Sequence, residues 1–227
     1  GLVFAGVFFF FLFLYTMFRL KEIKISGNQQ VASKDIISLI GIGKNIFLFN
    51  SAKVKSDISK KYLYIETLKI KKEFPDKLSA QVTERTLSAV WCFNDSPCFN
   101  TDRNGVIFEE LSELPYDYII IKDFRGGDSP VLGNKIIEPV LLASIRNIAE
   151  KTSEWGITPE TLTILSRDRL NLKIVDSGEI YFNLQSDLDW QLDKLKAVLG
   201  QEIPREKRKN LQYIDLRFCN LAAYKYR

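Results

Sequence analysis

Two hydrophobic patterns divide the chain. Residues 2–18, LVFAGVFFFFLFLYTMF, hold 15 apolar side chains interrupted only by Gly6 and Thr16. A helix apolar on every face has no water-facing side. At about 1.5 Å per residue the run spans ~26 Å, slightly less than a bilayer core of ~30 Å. The pattern predicts a transmembrane helix over residues 1–19. The run starts at the first position, the sequence opens with Gly, and its one methionine is Met17, so a preceding cytoplasmic segment is expected. A cleaved signal peptide is the alternative. Against it, no small-x-small site separates the run from Arg19 and Lys21. Those cations hold the bulk of the chain in the cytoplasm unless the preceding segment carries more, and charge counting leaves the orientation open.

Beyond the run the periods are shorter. Ile23 and Ile25 alternate with Lys24 and lead into Gly27-Asn28, a short half-buried strand and a turn. Ser33 then fits a helix N-cap, with Ile36, Ile37 and Ile40 as an apolar stripe ended by Gly41. Asn50 or Ser51 caps a second helix, on which Val54 and Ile58 lie four apart and Lys60 and Lys61 suit the C-terminal end. Residues 65–74 and 78–85 alternate with period two around Pro75-Asp76, a hairpin with a bulge near Thr67. The order is strand, helix, helix, strand, strand.

The remainder is strand-rich. Short apolar runs at 87–93, 97–101, 105–108 and 117–122 are separated by Asn, Asp, Gly and Pro. A helix is expected over 137–154, with Ile137, Leu141, Ile145, Ile148 and Thr152 inward and Gly156 beyond its end. Strands at 161–165, 169–175 and 179–184 follow. A further helix starts at Ser186, with Asp189 at the capping-box position and Leu188, Leu192, Leu195 and Leu199 as its stripe. Strands at 211–218 and 220–226 close the chain. No internal repeat or low-complexity linker interrupts this order.

Composition removes whole classes of chemistry. The 227 residues contain no histidine, which takes away the usual general base and zinc ligand, and with them Ser-His-Asp, Cys-His and HExxH designs. Lys and Arg total 32 against 28 Asp and Glu, a net charge of +4; so mild an excess gives no argument for nucleic acid. No CxxC pair supports a zinc or redox motif. Cys92 and Cys98 flank a turn, FNDSP; they are placed either to close a small disulfide loop outside the cell or to stay as buried thiols.

Taken in order, IKISGN, VTERTLSAVW, NTDRNGVIF and a terminal YIDLRF strand behind one membrane helix resemble the FtsQ/DivIB family of bacterial division proteins. The likeness covers nearly the whole chain. It implies an α+β architecture: a transmembrane helix at 1–19, a POTRA domain at 22–86 (β-α-α-β-β), and a mixed β domain at 87–227 with two helices packed on an antiparallel-rich sheet. Leu87 and Leu221 depart from the family pattern, which often has proline and a small residue there. The family reading implies a non-enzymatic scaffold without cofactor, metal, nucleic acid or small-molecule substrate. It would be single-pass in the plasma membrane, with both domains extracytoplasmic and concentrated at the division septum. Its implied partners are FtsB-like and FtsL-like coiled-coil proteins, further division proteins reached through the POTRA domain and the membrane helix, and the lipid bilayer. By the same resemblance Arg217, Phe218, Asn220, Ala222 and Tyr226 fall on partner-contacting positions, with Phe218 and Tyr226 as aromatic anchors, and Glu84 and Arg85 sit at the domain junction.

The residues also support plainer readings. In the terminal strand Ile214, Leu216 and Phe218 share one face and Tyr213, Asp215 and Arg217 the other, one side core and one wet. A last strand at a sheet edge exposes unpaired main-chain groups that a second chain can pair with; Lys225 and Arg227 could equally protect that edge. Glu84-Arg85 reads otherwise as an exposed strand pair, and Asn100–Gly105 as a hairpin turn. Trp91, Trp155 and Trp190 read as core, and Arg205–Lys209 as a solvated basic loop. The rival functions are a POTRA-bearing polypeptide-transport module and a membrane-anchored wall hydrolase. For the hydrolase, Ser33-Lys34 and Ser59-Lys60 are helix neighbours that do not face each other, and Glu109, Glu110, Asp187, Asp189 and Asp193 have no spacing that makes a cleft.

Overall fold

The computed structural model describes residues 4, 13, 15–115, 118–127 and 130–227. The chain divides into two units, residues 1–85 and 86–227. Most of the 2–18 run, and with it the expected transmembrane helix, lies outside the described residues; among the described residues no helix is long and apolar enough to cross a membrane.

In the first unit strand β1 (Glu22–Ser26) leads to helices α1 (Ser33–Ile40) and α2 (Ser51–Lys61), then to strands β2 (Ile65–Glu73) and β3 (Lys77–Glu84). β3 is central, parallel to β1 and antiparallel to β2. A parallel pair cannot be closed by a tight turn, so the helices lie in the connection between β1 and β3. Leu78, Ala80 and Val82 alternate into the core and meet Ile36 and Ile40 of α1 and Val54 and Ile58 of α2. Gly27 ends β1 at φ 84°, and a Cβ there would fall 2.2 Å from the Val82 carbonyl oxygen, so the turn requires glycine. Asn50 caps α2 by accepting from Lys53 N at 3.0 Å. Ser33 does not cap α1: the N-cap is Ala32, and the Ser33 hydroxyl is engaged with the Asn28 side chain.

The second unit is one sheet of nine strands. They are β4 (Ala89–Phe93), β5 (Cys98–Thr101), β6 (Ile107–Leu111), β7 (Ile120–Asp123), β8 (Pro159–Ile164), β9 (Arg169–Ile174), β10 (Glu179–Asn183), β11 (Leu211–Asp215) and β12 (Ala223–Tyr226). The order across the sheet is β12-β11-β10-β9-β8-β7-β4-β5-β6. Parallel neighbours occur at β4–β7, β7–β8 and β10–β11, and the other pairs are antiparallel. Helix α3 (Pro139–Glu154) lies in the β7–β8 crossover and helix α4 (Leu188–Gln201) in the β10–β11 crossover, as parallel pairing demands. Leu142, Ile145 and Ile148 of α3 and Leu192, Leu195 and Leu199 of α4 share one core with Leu170, Leu172, Ile180, Phe182 and Ile214.

Several expectations are corrected here. Leu142 rather than Leu141 is the fully buried residue of α3's first turns. α4 is capped by Asp187, whose carboxylate accepts from Trp190 N at 3.0 Å, and it runs through Gly200. Trp91 is buried, but Trp190 is 53% exposed, because it lies off the Leu188–Leu192–Leu195–Leu199 stripe. The basic run 205–209 is solvated, with Arg208 alone half-buried, but it is ordered rather than an irregular loop. It forms a 3₁₀ turn in which Arg208 donates to the carbonyls of Trp155 at 2.6 Å and Leu199 at 3.2 Å. The turn before β6 does use Gly105 at φ 77°, where a Cβ would meet the Ile137 oxygen at 2.1 Å.

Candidate functional site

The terminal hairpin sets the site. β11 ends at Asp215, short of the expected 218, and β12 begins at Ala223. β12 pairs on one side with β11, with Asp215 opposite Ala223 and Ile214 opposite Tyr224. It is the end strand of the sheet, and its outer main-chain groups face no other strand among the described residues. Ala222 and Tyr226 pack partly buried against the helix-covered core. Tyr224 is 37% exposed and meets Tyr226 edge-on at 5.8 Å.

Between the strands, residues 216–222 are held on the first turns of α4. The Lys194 ammonium donates to the carbonyls of Leu216, at 2.7 Å, and Phe218, and Trp190 Nε1 donates to the Cys219 carbonyl at 3.1 Å. Burial lowers the Lys194 pKa. With its carbonyls fixed inward, the loop turns Phe218 and Leu221 to solvent, at 51% and 56% exposure. Asn220 is exposed as well.

Arg217 is committed elsewhere. Its guanidinium makes a two-pronged bond to Asp215, Nε to Oδ1 at 2.9 Å and Nη2 to Oδ2 at 2.6 Å, and its backbone N–H donates to the same carboxylate at 3.1 Å. Burial alone would raise the Asp215 pKa, but these bonds and the charges of Arg217 and Arg169 outweigh it and hold the carboxyl below its ordinary range. The guanidinium also lies 5.5 Å from the Tyr181 ring centre, and that ring stacks on Tyr213 at 5.8 Å. The five expected contact residues therefore fall into two sets. Phe218 and Asn220 project outward, whereas Arg217, Ala222 and Tyr226 are engaged in the fold.

Glu84 and Arg85 do not pair with each other. The Glu84 carboxylate accepts the backbone N–H groups of Gln29, Gln30 and Val31 at 3.0, 2.8 and 3.0 Å. Partial burial pushes its pKa up, yet the three donors prevail and keep it below the ordinary value. Arg85 Nε donates to the Leu63 carbonyl at 2.9 Å. Cys92 and Cys98 face each other across β4 and β5 and are joined as a disulfide, while Cys219 is free and exposed. Among the described residues no group of three or more His, Cys, Asp or Glu is placed to hold a metal ion.

Trp190, Leu221 and Tyr224 also present large apolar surface here, and sequence reasoning did not single them out as contacts. A signal existed for Trp190, which breaks the apolar stripe of its helix. None existed for the loop, whose conformation depends on Lys194 reaching across from α4.

A three-stranded βααββ unit followed by a mixed sheet with an open C-terminal edge defines a POTRA-type protein carrying an appended sheet domain. The family model for the POTRA domain, FtsQ-type, matches residues 18–85. The chain is 34% identical to the cell division protein DivIB of Clostridium botulinum strain Hall, over 88% of this chain and 79% of that protein. It is 23% identical to DivIB of Brevibacillus brevis over 91% of this chain and 78% of the relative. It also matches cell division protein FtsQ of Geobacter sp. strain M21 at 31% identity, over 48% of this chain and 40% of that protein. The chain belongs to the FtsQ/DivIB family.

Proposed function

We propose that this protein is a non-enzymatic scaffold of the bacterial division complex, anchored in the plasma membrane by its N-terminal apolar segment, with both units extracytoplasmic at the septum. It captures FtsB-like and FtsL-like single-pass coiled-coil proteins by adding a partner strand to β12. The first unit and the membrane segment engage further division proteins, and Glu84 and Arg85 stiffen the end of the first unit where the chain leaves it. The observation that carries this reading is the unpaired outer side of β12 beside the exposed Phe218, Leu221 and Tyr224. Such an edge offers main-chain hydrogen bonds for affinity and adjacent apolar side chains for selectivity. The Cys92–Cys98 disulfide suits an extracytoplasmic compartment.

The test is co-purification of the membrane form with co-expressed FtsB-like and FtsL-like proteins, wild type beside Phe218→Asp. Because Phe218 is half exposed and lies outside both strands, the change should leave stability within about 0.5 kcal/mol. Loss of an apolar anchor and burial of an unpaired carboxylate should weaken capture by ~2 kcal/mol or more, at least tenfold in Kd. A folded variant that captures both partners as well as wild type does would refute edge docking at this loop.

A further inference from the structure

We propose that one pole of the first unit is a lipid-seating surface, built to rest in the headgroup region of the bilayer; this rests on the anchor reading above and extends it. Past residue 18, the large apolar side chains left exposed among the described residues of this unit are Ile42, Phe47, Leu48 and Phe74, at 61%, 60%, 82% and 56%. All belong to two loops tied to residues 18–21. Leu20 N donates to the Lys44 carbonyl at 2.8 Å, Ile46 N to the Phe18 carbonyl at 2.9 Å, and Lys21 N to the Asp76 carbonyl at 2.8 Å. The rings of Phe18, Phe47 and Phe74 form one cluster, with Phe18–Phe47 at 4.8 Å and Phe47–Phe74 at 5.2 Å.

Two observations select lipid as the occupant. The patch lies where the 2–18 apolar run enters the unit, so a membrane-embedded run brings these loops to the interface without further cost. Its surroundings are cationic: Arg19 adjoins Phe18, Lys44 lies between Ile42 and Phe47, and the Lys72 ammonium is 5.9 Å from the centre of the Phe49 ring. Lys21 is 65% exposed while bonded to Asp76 at 2.9 Å; of the other carboxylates beside these loops, Glu22 is paired with Lys77 at 2.6 Å and Glu73 adjoins Phe74. Apolar rings inserted at the acyl boundary with lysine and arginine at headgroup level is the arrangement that binds anionic membranes. Exposed apolar surface grouped on two neighbouring loops, with no other large apolar side chain exposed among the described residues from 19 to 85, marks a contact surface rather than random exposure.

The test uses the full chain carrying Cys219→Ser, with Leu48→Cys or Ser56→Cys as the one free thiol, labelled with an environment-sensitive fluorophore. Ser56 is exposed on α2 and serves as the water-facing reference. The proteins are reconstituted into phosphatidylethanolamine and phosphatidylglycerol vesicles at several protein-to-lipid ratios. Position 48 should be quenched by nitroxide-bearing lipid and shielded from aqueous iodide several-fold better than position 56, at every ratio. Phe47→Glu with Phe74→Glu should return the label at 48 to water while the protein still floats with the vesicles. Flotation with position 48 as open to iodide as position 56 overturns the seating surface and leaves the anchor standing. Shielding that appears only at high protein density, without nitroxide quenching, means a second copy covers the patch and also overturns it. Failure to float at all removes the anchor reading and this proposal together.

Discussion

Asp215 is 6% exposed and takes all three of its hydrogen bonds from Arg217, so Arg217 is first a structural partner. Arg217→Ala should destabilise the second unit by about 2 kcal/mol, because a nearly buried carboxylate loses its countercharge; urea denaturation measures it, and Arg217→Lys should recover part. Partner loss in the alanine variant therefore has to be read against its stability, unlike loss in Phe218→Asp. In the first unit Glu84 plays the analogous role for the backbone of residues 29–31. Its folded pKa lies below the ordinary 4.5, so its contribution is fully present above that value and is lost as pH falls through the folded pKa. Glu84→Gln should cost the first unit ~1 to 3 kcal/mol near neutrality and should flatten its loss of stability between pH 5 and 3, read by hydrogen exchange of the β3 amides. Neither role was visible as spacing. Glu84 is the last residue of β3 and Arg85 lies beyond it, and Glu84's donors come from a loop more than fifty positions earlier.

Helix α4 does two jobs, and only one of them was legible. Its leucine stripe follows from the 3.6-residue period and packs as the period requires. Its other face, with Trp190 and Lys194, shapes the 216–222 loop. Lys194→Met removes the donor to two carbonyls while keeping the aliphatic stem. It should cost about 1 to 2 kcal/mol and accelerate amide exchange across residues 217–221, with β11 itself still protected. Unchanged exchange there would mean the loop holds its shape without the helix. The element order was readable along nearly the entire chain because strands and helices differ in period and are separated by Gly, Pro, Asn and Asp. Strand ends were less so. The pattern carries β11 to Phe218, but Arg217 turns back on Asp215 and ends the ladder, which converts Phe218 from a core-facing position to an exposed one. The parallel pairings of β4–β7, β7–β8 and β10–β11 were equally hidden, since neighbours across a crossover leave no local trace.

At the scale of the whole molecule, the absence of histidine takes away the usual general base, and the mild net charge of +4 gives no argument for nucleic acid. The family likeness then adds the division role that no residue-level feature carries. The extracytoplasmic compartment proposed above can be tested on the cysteines. Of the three cysteines, Cys92 and Cys98 are joined and Cys219 is free. Closing so short a loop should be worth about 2 kcal/mol through restriction of the unfolded chain, so Cys92→Ser with Cys98→Ser should lower stability by that order without exposing new surface. A disulfide of this kind forms outside a reducing cytosol. Protein isolated from membranes under thiol-trapping conditions and then denatured should therefore present one reactive thiol, that of Cys219, and three after reduction. The same chain lacking residues 2–18, retained in the cytosol, should present three from the start. Three thiols in the membrane form would place the second unit on the reducing side and remove the extracytoplasmic reading, whatever the sheet edge binds.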